Sequence, residues 1–312
     1  MAKVLLIISL CVNAMLLIVI FRQEAIRVEK VSPSRSSAAV SFESKSATQS
    51  TEKYIILSTA ETLHAMYGEG DFGDADGHLL NYIRSMMSRQ GPGGPHLNTK
   101  SLAHHIQAGP SRILDDMLKQ RQNGFFVECG AFRGDEYSHT LFFEVERNWT
   151  GMLIEAHPEY HQDLLRKNRR ALVLRACLSP KPRPGMAKFT LSGWGSGVSD
   201  FNKNVKKEDI QTIPQTDVQC FSLNSIMAAI GVRHIDFFVL DIEGPELQVL
   251  ETIDWTRLSI DLFIIEYRDT NQVVKLDKLR RFFNRTGRYE EVAKLPMGAT
   301  DDRVLDVIFM RV

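Results

Sequence analysis

Between Gly124 and Glu155 the chain reads GFFVECGAFRGDEYSHTLFFEVERNWTGMLIE, an apolar run, a turn with two glycines, a helical stretch and a second apolar run ending on a carboxylate. Phe125, Phe126 and Val127 have the composition of a buried parallel strand. Gly130 and Gly134 permit a tight turn and a close backbone approach to a ligand, and the amides opening the next helix point outward as donors. Residues 136–147 are expected as that helix and Trp149 to Ile154 as the second strand. Glu155 follows about 25 positions after Gly130, near the roughly 20 expected of an acid that accepts the two ribose hydroxyls of a nucleoside. Any tight strand-to-helix turn can carry two glycines, so the turn alone is weak. The spacing lacks G-x-G-x-x-G and has no Lys-Ser or Lys-Thr for a triphosphate, so NAD and ATP fit poorly. An adenosyl cofactor without phosphates fits better.

With 312 residues, 44% hydrophobic, and 38 basic against 38 acidic side chains, the chain can bury an ordinary core but has no basic excess for nucleic acid. Val4 to Phe21 is different, an apolar run of about 18 residues flanked by Lys3 and Arg22. It is long enough to span a bilayer as a helix, and an uncleaved signal anchor over residues 1–21 is preferred. A cleaved signal peptide is the competing reading, although the run exceeds the usual length and no A-x-A-like site follows. Arg22, Arg27, Lys30 and Arg35 after the span lean toward a cytosolic C-terminus. The sequons at Asn148 and Asn284 would permit glycosylation in the lumen. Residues 22–53, Ser-rich and poor in large apolar side chains, read as a disordered stalk. Residues 54–109 are intermediate, with a helix expected over 78–89; the acidic GEGDFGDADG at 68–77 resembles a calcium loop only by composition. The globular domain is expected over 110–312, beginning with a helix at about 112–122.

Within that domain strands recur with helices between them. Ala171 to Ala176, Ile235 to Leu240 and Leu262 to Glu266 are the further strands, and Pro245 to Ile253 and Lys275 to Asn284 have helical spacing. The closing pair, Tyr289 to Leu295 and Leu305 to Arg311, has no helix between its members. The pattern is that of an α/β doubly wound, mostly parallel sheet with an antiparallel edge. Ligands of such sheets sit at the carboxyl ends of the strands. Glu128, Glu155, Asp241, Glu243 and Glu266 all fall there, so some must be neutralised, hydrogen-bonded or bound to a cation. Asp241 and Glu243 have a second reading as caps of the helix entered at Pro245. His157 and His161 share a helix face but have no evident third ligand; solvated helix residues are preferred, and no metal is expected. None of the four cysteines forms a C-x-x-C pair. The loop LSGWGSGVSDF at 191–201 reads either as a lid carrying Trp194 or as an ordinary exposed loop.

ECGAFRGDEYSHT, WTGMLIEAHPEYHQDLLRKNRRA, ACLS and IDFFVLDIEGPELQVLETIDW together resemble the FkbM-type methyltransferase domain over nearly all of 124–312, and HLLNYIRSMM is similar to a segment of the membrane-anchored Star-like proteins of animals. The resemblance implies a class I S-adenosylmethionine-dependent fold with seven strands. Carried across, it sets Glu128, Gly130 and Gly134 around the methionine part of the cofactor, Glu155 at the ribose, and Ala176 and Cys177 at the adenine. Asp241 and Glu243 then face the methyl acceptor, with Asp241 as candidate base. Methyl transfer is an in-line displacement, so positioning contributes most and a base serves only to deprotonate the acceptor. O-methyl transfer fits the resemblance better than N-methyl transfer, with the acceptor open. Family members often carry Ser-Asn-Thr where this chain has Ser138-His139-Thr140. The alternative is a non-catalytic membrane factor in ER-to-Golgi or endosomal trafficking of a membrane-protein cargo, as the Star-like resemblance implies. The chain is expected as a single-pass membrane protein of the secretory pathway with its domain in the lumen, the cytosolic orientation staying open. In the lumen, Cys177 and Cys220 are expected to bridge and Cys129 to stay free.

Overall fold

The computed structural model describes residues 3–11, 14–22, 55–57, 76–89, 91, 94–97, 110–267, 272–298 and 301–312. Contacts divide the chain into one unit of residues 1–71 and another of residues 72–312. In the first, β1 (Lys3–Cys11) and β2 (Ala14–Arg22) form an antiparallel hairpin from Lys3 opposite Arg22 to Cys11 opposite Ala14, and β3 (Ile55–Leu57) pairs with β2. The expected transmembrane helix over this run is therefore corrected to paired strands. A continuous apolar run does not distinguish helix from strand by periodicity, and Val4, Ile7, Ile8, Ile18, Val19 and Ile20 are β-branched residues that favour the extended form. Among the described residues no helix is long and apolar enough to cross a membrane. The expected stalk, apart from Arg22, and most of 54–109 lie outside the described residues.

The second unit opens with α1 (Gly77–Met86), which starts where Asp76 Oδ1 accepts from His78 N and Leu79 N, each at 3.0 Å. The chain then runs through β4 (Met87–Ser88), α2 (Pro110–Met117), β5 (Phe125–Cys129), α3 (Leu141–Glu146), β6 (Thr150–Ile154), α4 (Pro158–Arg166), β7 (Leu172–Leu174), β8 (Cys177–Leu178), β9 (Gly185–Thr190) and β10 (Gly197–Val198). It continues with β11 (Gln215–Phe221), α5 (Leu223–Ile230), β12 (His234–Leu240), α6 (Glu246–Glu251), β13 (Ser259–Glu266), α7 (Gln272–Thr286), β14 (Tyr289–Gly298) and β15 (Asp301–Arg311). The main sheet has the order β14-β15-β13-β12-β5-β6-β7-β4. Its five central strands are parallel; β15 runs antiparallel to β13, β14 to β15, and β4 to β7.

This is a mixed sheet of eight strands, so the expectation of seven is corrected. The eighth is the two-residue β4, formed where the helix was expected to continue to Arg89. The strand order reverses at β5, whose neighbours are β6 and β12, and the carboxyl ends on either side open a crevice there. Phe126, Val127, Leu153, Phe237, Phe238 and Ile264 are buried on both faces of the sheet, as near-continuous apolar strands should be.

A second sheet, β10-β9-β11-β8, was not expected. The strand read over 171–176 ends instead at Leu174, and the chain crosses through Ala176 into β8 of the second sheet. Cys177 of β8 and Cys220 of β11 are register partners in a parallel pair and form a disulfide, while Cys129 is free and buried. The bridge closes a separation of 43 residues, a constraint on the unfolded chain of about 4 kcal/mol by chain entropy. Peptide mapping without reduction should recover the 177–220 linked pair, and reduction should lower the unfolding midpoint. Free thiols at both positions in protein isolated under alkylation would contradict it.

Candidate functional site

The helix expected over 136–147 shrinks to α3, and Glu128 is the reason. Its Oε2 accepts from Ser138 Oγ at 2.7 Å and Thr140 Oγ1 at 2.6 Å, and its Oε1 from His139 N at 3.0 Å. A buried carboxylate that gathers donors within a few residues offers those residues an alternative to the helix. Arg169, fully buried, seals the arrangement. It donates to Gly134 O at 2.8 Å, Ser138 Oγ at 2.9 Å, Thr140 Oγ1 at 3.1 Å and Glu144 Oε2 at 3.2 Å, with Glu128 Oε2 at 3.8 Å. No local sequence signal marks Arg169, because its partners lie tens of residues away.

Gly130 adopts φ +80°, and a Cβ there would collide with the carbonyl oxygen of Asp241. That close approach follows from adjacent strands ending together, Asp241 N donating to Cys129 O at 3.1 Å. Gly134, at φ +85°, instead makes room for Leu164 of α4. A cavity of about 230 Å³ lies at these strand ends, far more than the roughly 30 Å³ of one water. Glu128, Gly130, Glu155, Ala176, Cys177, Asp241 and Glu243 line it; Gly134 does not.

Glu155, just past β6, accepts from Phe132 N and His157 N, each at 2.7 Å. Burial pushes its carboxyl up to about 7, and hydrogen bonds from the backbone of His157, Phe132 and Ala156 hold that rise in check. Asp241 stands across β5 from it. The Asp241 Oδ1 is shielded from solvent and has no hydrogen-bond partner among the described residues. Burial, then the charges of Glu266 and Glu243, raise its carboxyl well above the usual range, with Lys203 acting the other way.

Neither Asp241 nor Glu243 caps α6. The N-cap is Pro245, without a side-chain cap, and Glu246 ties down the preceding turn, its Oε1 accepting from Ile242 N at 3.3 Å and Gly244 N at 3.0 Å. Glu243 accepts instead from Asn204 Nδ2 at 2.7 Å and ion-pairs with Lys203 at 3.3 Å. Carboxylate oxygens of Asp241, Glu246 and Glu266 come within 4.8 Å of one another. Distance alone would admit a cation, but Lys203 already pairs with Glu266 and Lys275 with Glu246 at 2.8 Å, so we assign no metal ligands.

The mouth of the cavity is aromatic, which the sequence reading missed apart from Trp194. Phe132 packs edge-on to Tyr160 at 4.4 Å and to Trp194 at 5.8 Å, and Tyr137 to Trp194 at 5.0 Å. Trp194 and Tyr137 are 57% and 56% exposed, so this edge of the cavity is open to solvent. His157 and His161 are not solvated, contrary to expectation. His157 Nδ1 caps α4 by accepting from Glu159 N at 3.2 Å, and His161 is buried, its imidazole held down to about 4 by burial and then by Arg175.

A crevice at the switch point of a doubly wound sheet, with acids at the ends of the strands beside it, is the ligand site of an open α/β domain. The Methyltransferase FkbM domain description matches residues 128–289, more than half of the chain. The chain belongs to the FkbM methyltransferase domain family. No curated protein matches it. Among solved structures it is similar to a putative methyltransferase from Streptococcus mutans in complex with SAH, with 12% identity, TM-score 0.36, and coverage of 66% of this chain and 100% of that one. It is also similar to methyltransferase FkbM from Methylobacillus flagellatus, with 13% identity and TM-score 0.41 over 74% of this chain and 50% of that one. It thus spans half the length of that relative. An O-methyltransferase from Thermotoga maritima is similar at 14% identity and TM-score 0.34, covering 85% of this chain and 76% of that one.

Proposed function

We propose that the domain binds S-adenosylmethionine in this cavity and transfers its methyl group to a hydroxyl of an acceptor. The observation that carries the reading is the pair of unlike carboxyls facing one cavity across β5, Glu155 anchored by two backbone amides and Asp241 with an oxygen left unpartnered. The Glu155 carboxyl, facing the cavity at the end of β6, supports placing a ribose there. Glu155 would accept from the ribose hydroxyls, with Ala176 and Cys177 beside the adenine. Glu128, committed to Ser138, His139 and Thr140, shapes the loop around the methionine part. S-adenosylmethionine supplies a methyl group on a positively charged sulfur, open to in-line attack. Asp241 would take the acceptor's proton, and Glu243, fastened to Asn204 and Lys203, would fix the wall beside it.

Calorimetry on the full-length chain tests this. Glu155→Ala should weaken S-adenosylmethionine binding by about 1.5 to 3 kcal/mol, the worth of charge-assisted hydrogen bonds. Ribose hydroxyls donate to the ionised carboxyl. With that group at about 7, binding below neutrality must first release its proton, so affinity should fall by up to about tenfold per pH unit below 7 and level off above it. Wild-type protein that binds no S-adenosylmethionine would end the reading. The Cys177–Cys220 bridge supports a lumenal domain, because disulfides persist in oxidising compartments.

A further inference from the structure

Among the described residues, seven acids line the cavity and one basic side chain, His139. His139 sits there because the loop before α3 is gathered by Glu128, whose Oε1 accepts from His139 N at 3.0 Å. Its imidazole meets β15: Nε2 lies 3.6 Å from Asp306 Oδ2, with the side chains 22% and 14% exposed. Adjacent strand ends set this pair near Asp241. Leu240 of β12 is in register with Ile265 of β13, so Asp241 and Glu266 end neighbouring strands, and Asp306 of β15 is the register partner of Glu266. Asp306, facing Nε2, keeps a proton on that nitrogen. The other ring nitrogen, Nδ1, has no hydrogen-bond partner among the described residues, so it accepts when the ring is neutral and donates when the ring is protonated. The charged groups facing the ring are Asp306 from β15 and Glu128 from β5, Glu128 itself lying 3.8 Å from Arg169. Burial opposes the protonated ring, but the two carboxylates outweigh burial and raise its midpoint above the ordinary imidazole value.

We propose that His139 is an acceptor-binding residue: its imidazolium, held by Asp306, donates from Nδ1 to a second oxygen of the acceptor, next to the hydroxyl that Asp241 deprotonates. The inference rests on the methyl-transfer reading and deepens it, because it names the acceptor class. A lone alcohol offers no oxygen to this donor. A hydroxyl flanked by a carbonyl or ether oxygen offers one, and such an oxygen cannot donate back to a neutral ring. The acids lining the cavity repel an anionic acceptor, which leaves a neutral compound of this kind. Family members often carry Asn at this position, a donor that does not titrate. His139 therefore adds a dependence on pH: the acceptor's second oxygen is held while the ring is protonated, and that contact is lost as pH rises through the ring's midpoint. On the acid side Asp241 must lose its own proton before it serves as a base, so the two groups together give a bell-shaped profile.

The experiment follows transfer of a labelled methyl group from S-adenosylmethionine into cell fractions across pH by the full-length protein. Beside it runs an imidazole titration of His139 by carbon-13 resonance, assigned by its disappearance in His139→Asn. Wild-type transfer should fall by up to about tenfold per pH unit above the imidazole midpoint. His139→Asn, which keeps a donor, should lose that fall. His139→Leu, which keeps none, should transfer about 10- to 100-fold less below the midpoint, the worth of a hydrogen bond to a charged donor. Asp306→Asn should move the imidazole midpoint and the alkaline fall to lower pH together, a paired shift that a merely structural role would not produce. Mass spectrometry of the labelled product should find the new methyl on a hydroxyl beside a carbonyl or ether oxygen; a methylated lone alcohol or amine overturns the proposal. Circular dichroism identifies a variant that fails to fold, and the remaining arms then decide. An alkaline fall that persists unchanged in His139→Asn, or an imidazole midpoint unmoved in Asp306→Asn, overturns the proposal while methyl transfer itself stands. Absence of transfer by the wild type at every pH ends the methyl-transfer reading and this proposal with it.

Discussion

Arg169→Met is expected to destabilise the second unit by about 3 to 5 kcal/mol, the cost of leaving buried charged partners uncompensated. The arginine has no solvent exposure at its side chain, and Glu128 and Glu144 are 4% and 2% exposed at theirs, so water cannot replace what is removed. Gly134 O, Ser138 and Thr140 would lose a donor at the same time. Urea unfolding followed by circular dichroism measures the loss. Arg169→Lys should recover only part of it, because an ammonium cannot match a planar fork that reaches Glu144 and the loop at once. Adding Glu144→Gln to Arg169→Met should return some stability, since one stranded charge goes with it. Equal stabilities for wild type and Arg169→Met would mean that the loop is held by other contacts.

The same residues show why some of this protein was legible in its sequence. Strands β5, β6, β12 and β13 were found to within two or three residues because each is an apolar run bounded by polar or glycine residues, a signal contained in the strand itself. The antiparallel β14 and β15 followed from the missing helix between them. The rim acids were found for a topological reason: a carboxylate at the end of a parallel strand must lie at the ligand edge, whatever its later partners. What could not be read depends on distant contacts. Glu128 undoes half of the helix expected over 136–147 only because Arg169 and the hydroxyls of Ser138 and Thr140 converge on it. Strand β9, with mostly exposed residues from Gly185 to Lys188, lacks the apolar run that would announce a strand. The run from Val4 to Phe21 is a separate case. Its hydrophobicity fixes burial or pairing, but helix and hairpin satisfy an apolar sequence equally, and β-branched residues tip it to the hairpin seen here.

Asp241→Asn should leave the fold intact and abolish most catalysis. Asn keeps the size of the side chain while removing its charge and its capacity to accept a proton. Because burial and then Glu266 and Glu243 raise the Asp241 carboxyl, the folded state holds that proton to higher pH than the unfolded chain does. Ionising it as pH rises therefore costs stability, and Asn, which never ionises, should be as stable as wild type at low pH and more stable at high pH. Cofactor affinity should change little, since Glu155 and the Gly130 turn are untouched. Turnover should fall about 100-fold or more, the usual contribution of a general base. Transfer of a labelled methyl group from S-adenosylmethionine into cell fractions, by wild type and variant at equal concentration, measures the difference. A non-catalytic role in moving a membrane-protein cargo predicts the opposite, that cells carrying only Asp241→Asn handle the cargo normally while deletion of residues 1–30 abolishes it. Equal labelling by the two proteins would remove Asp241 as the base. Absence of labelling by both, together with normal cargo movement by the variant, would remove catalysis as the principal role of the domain.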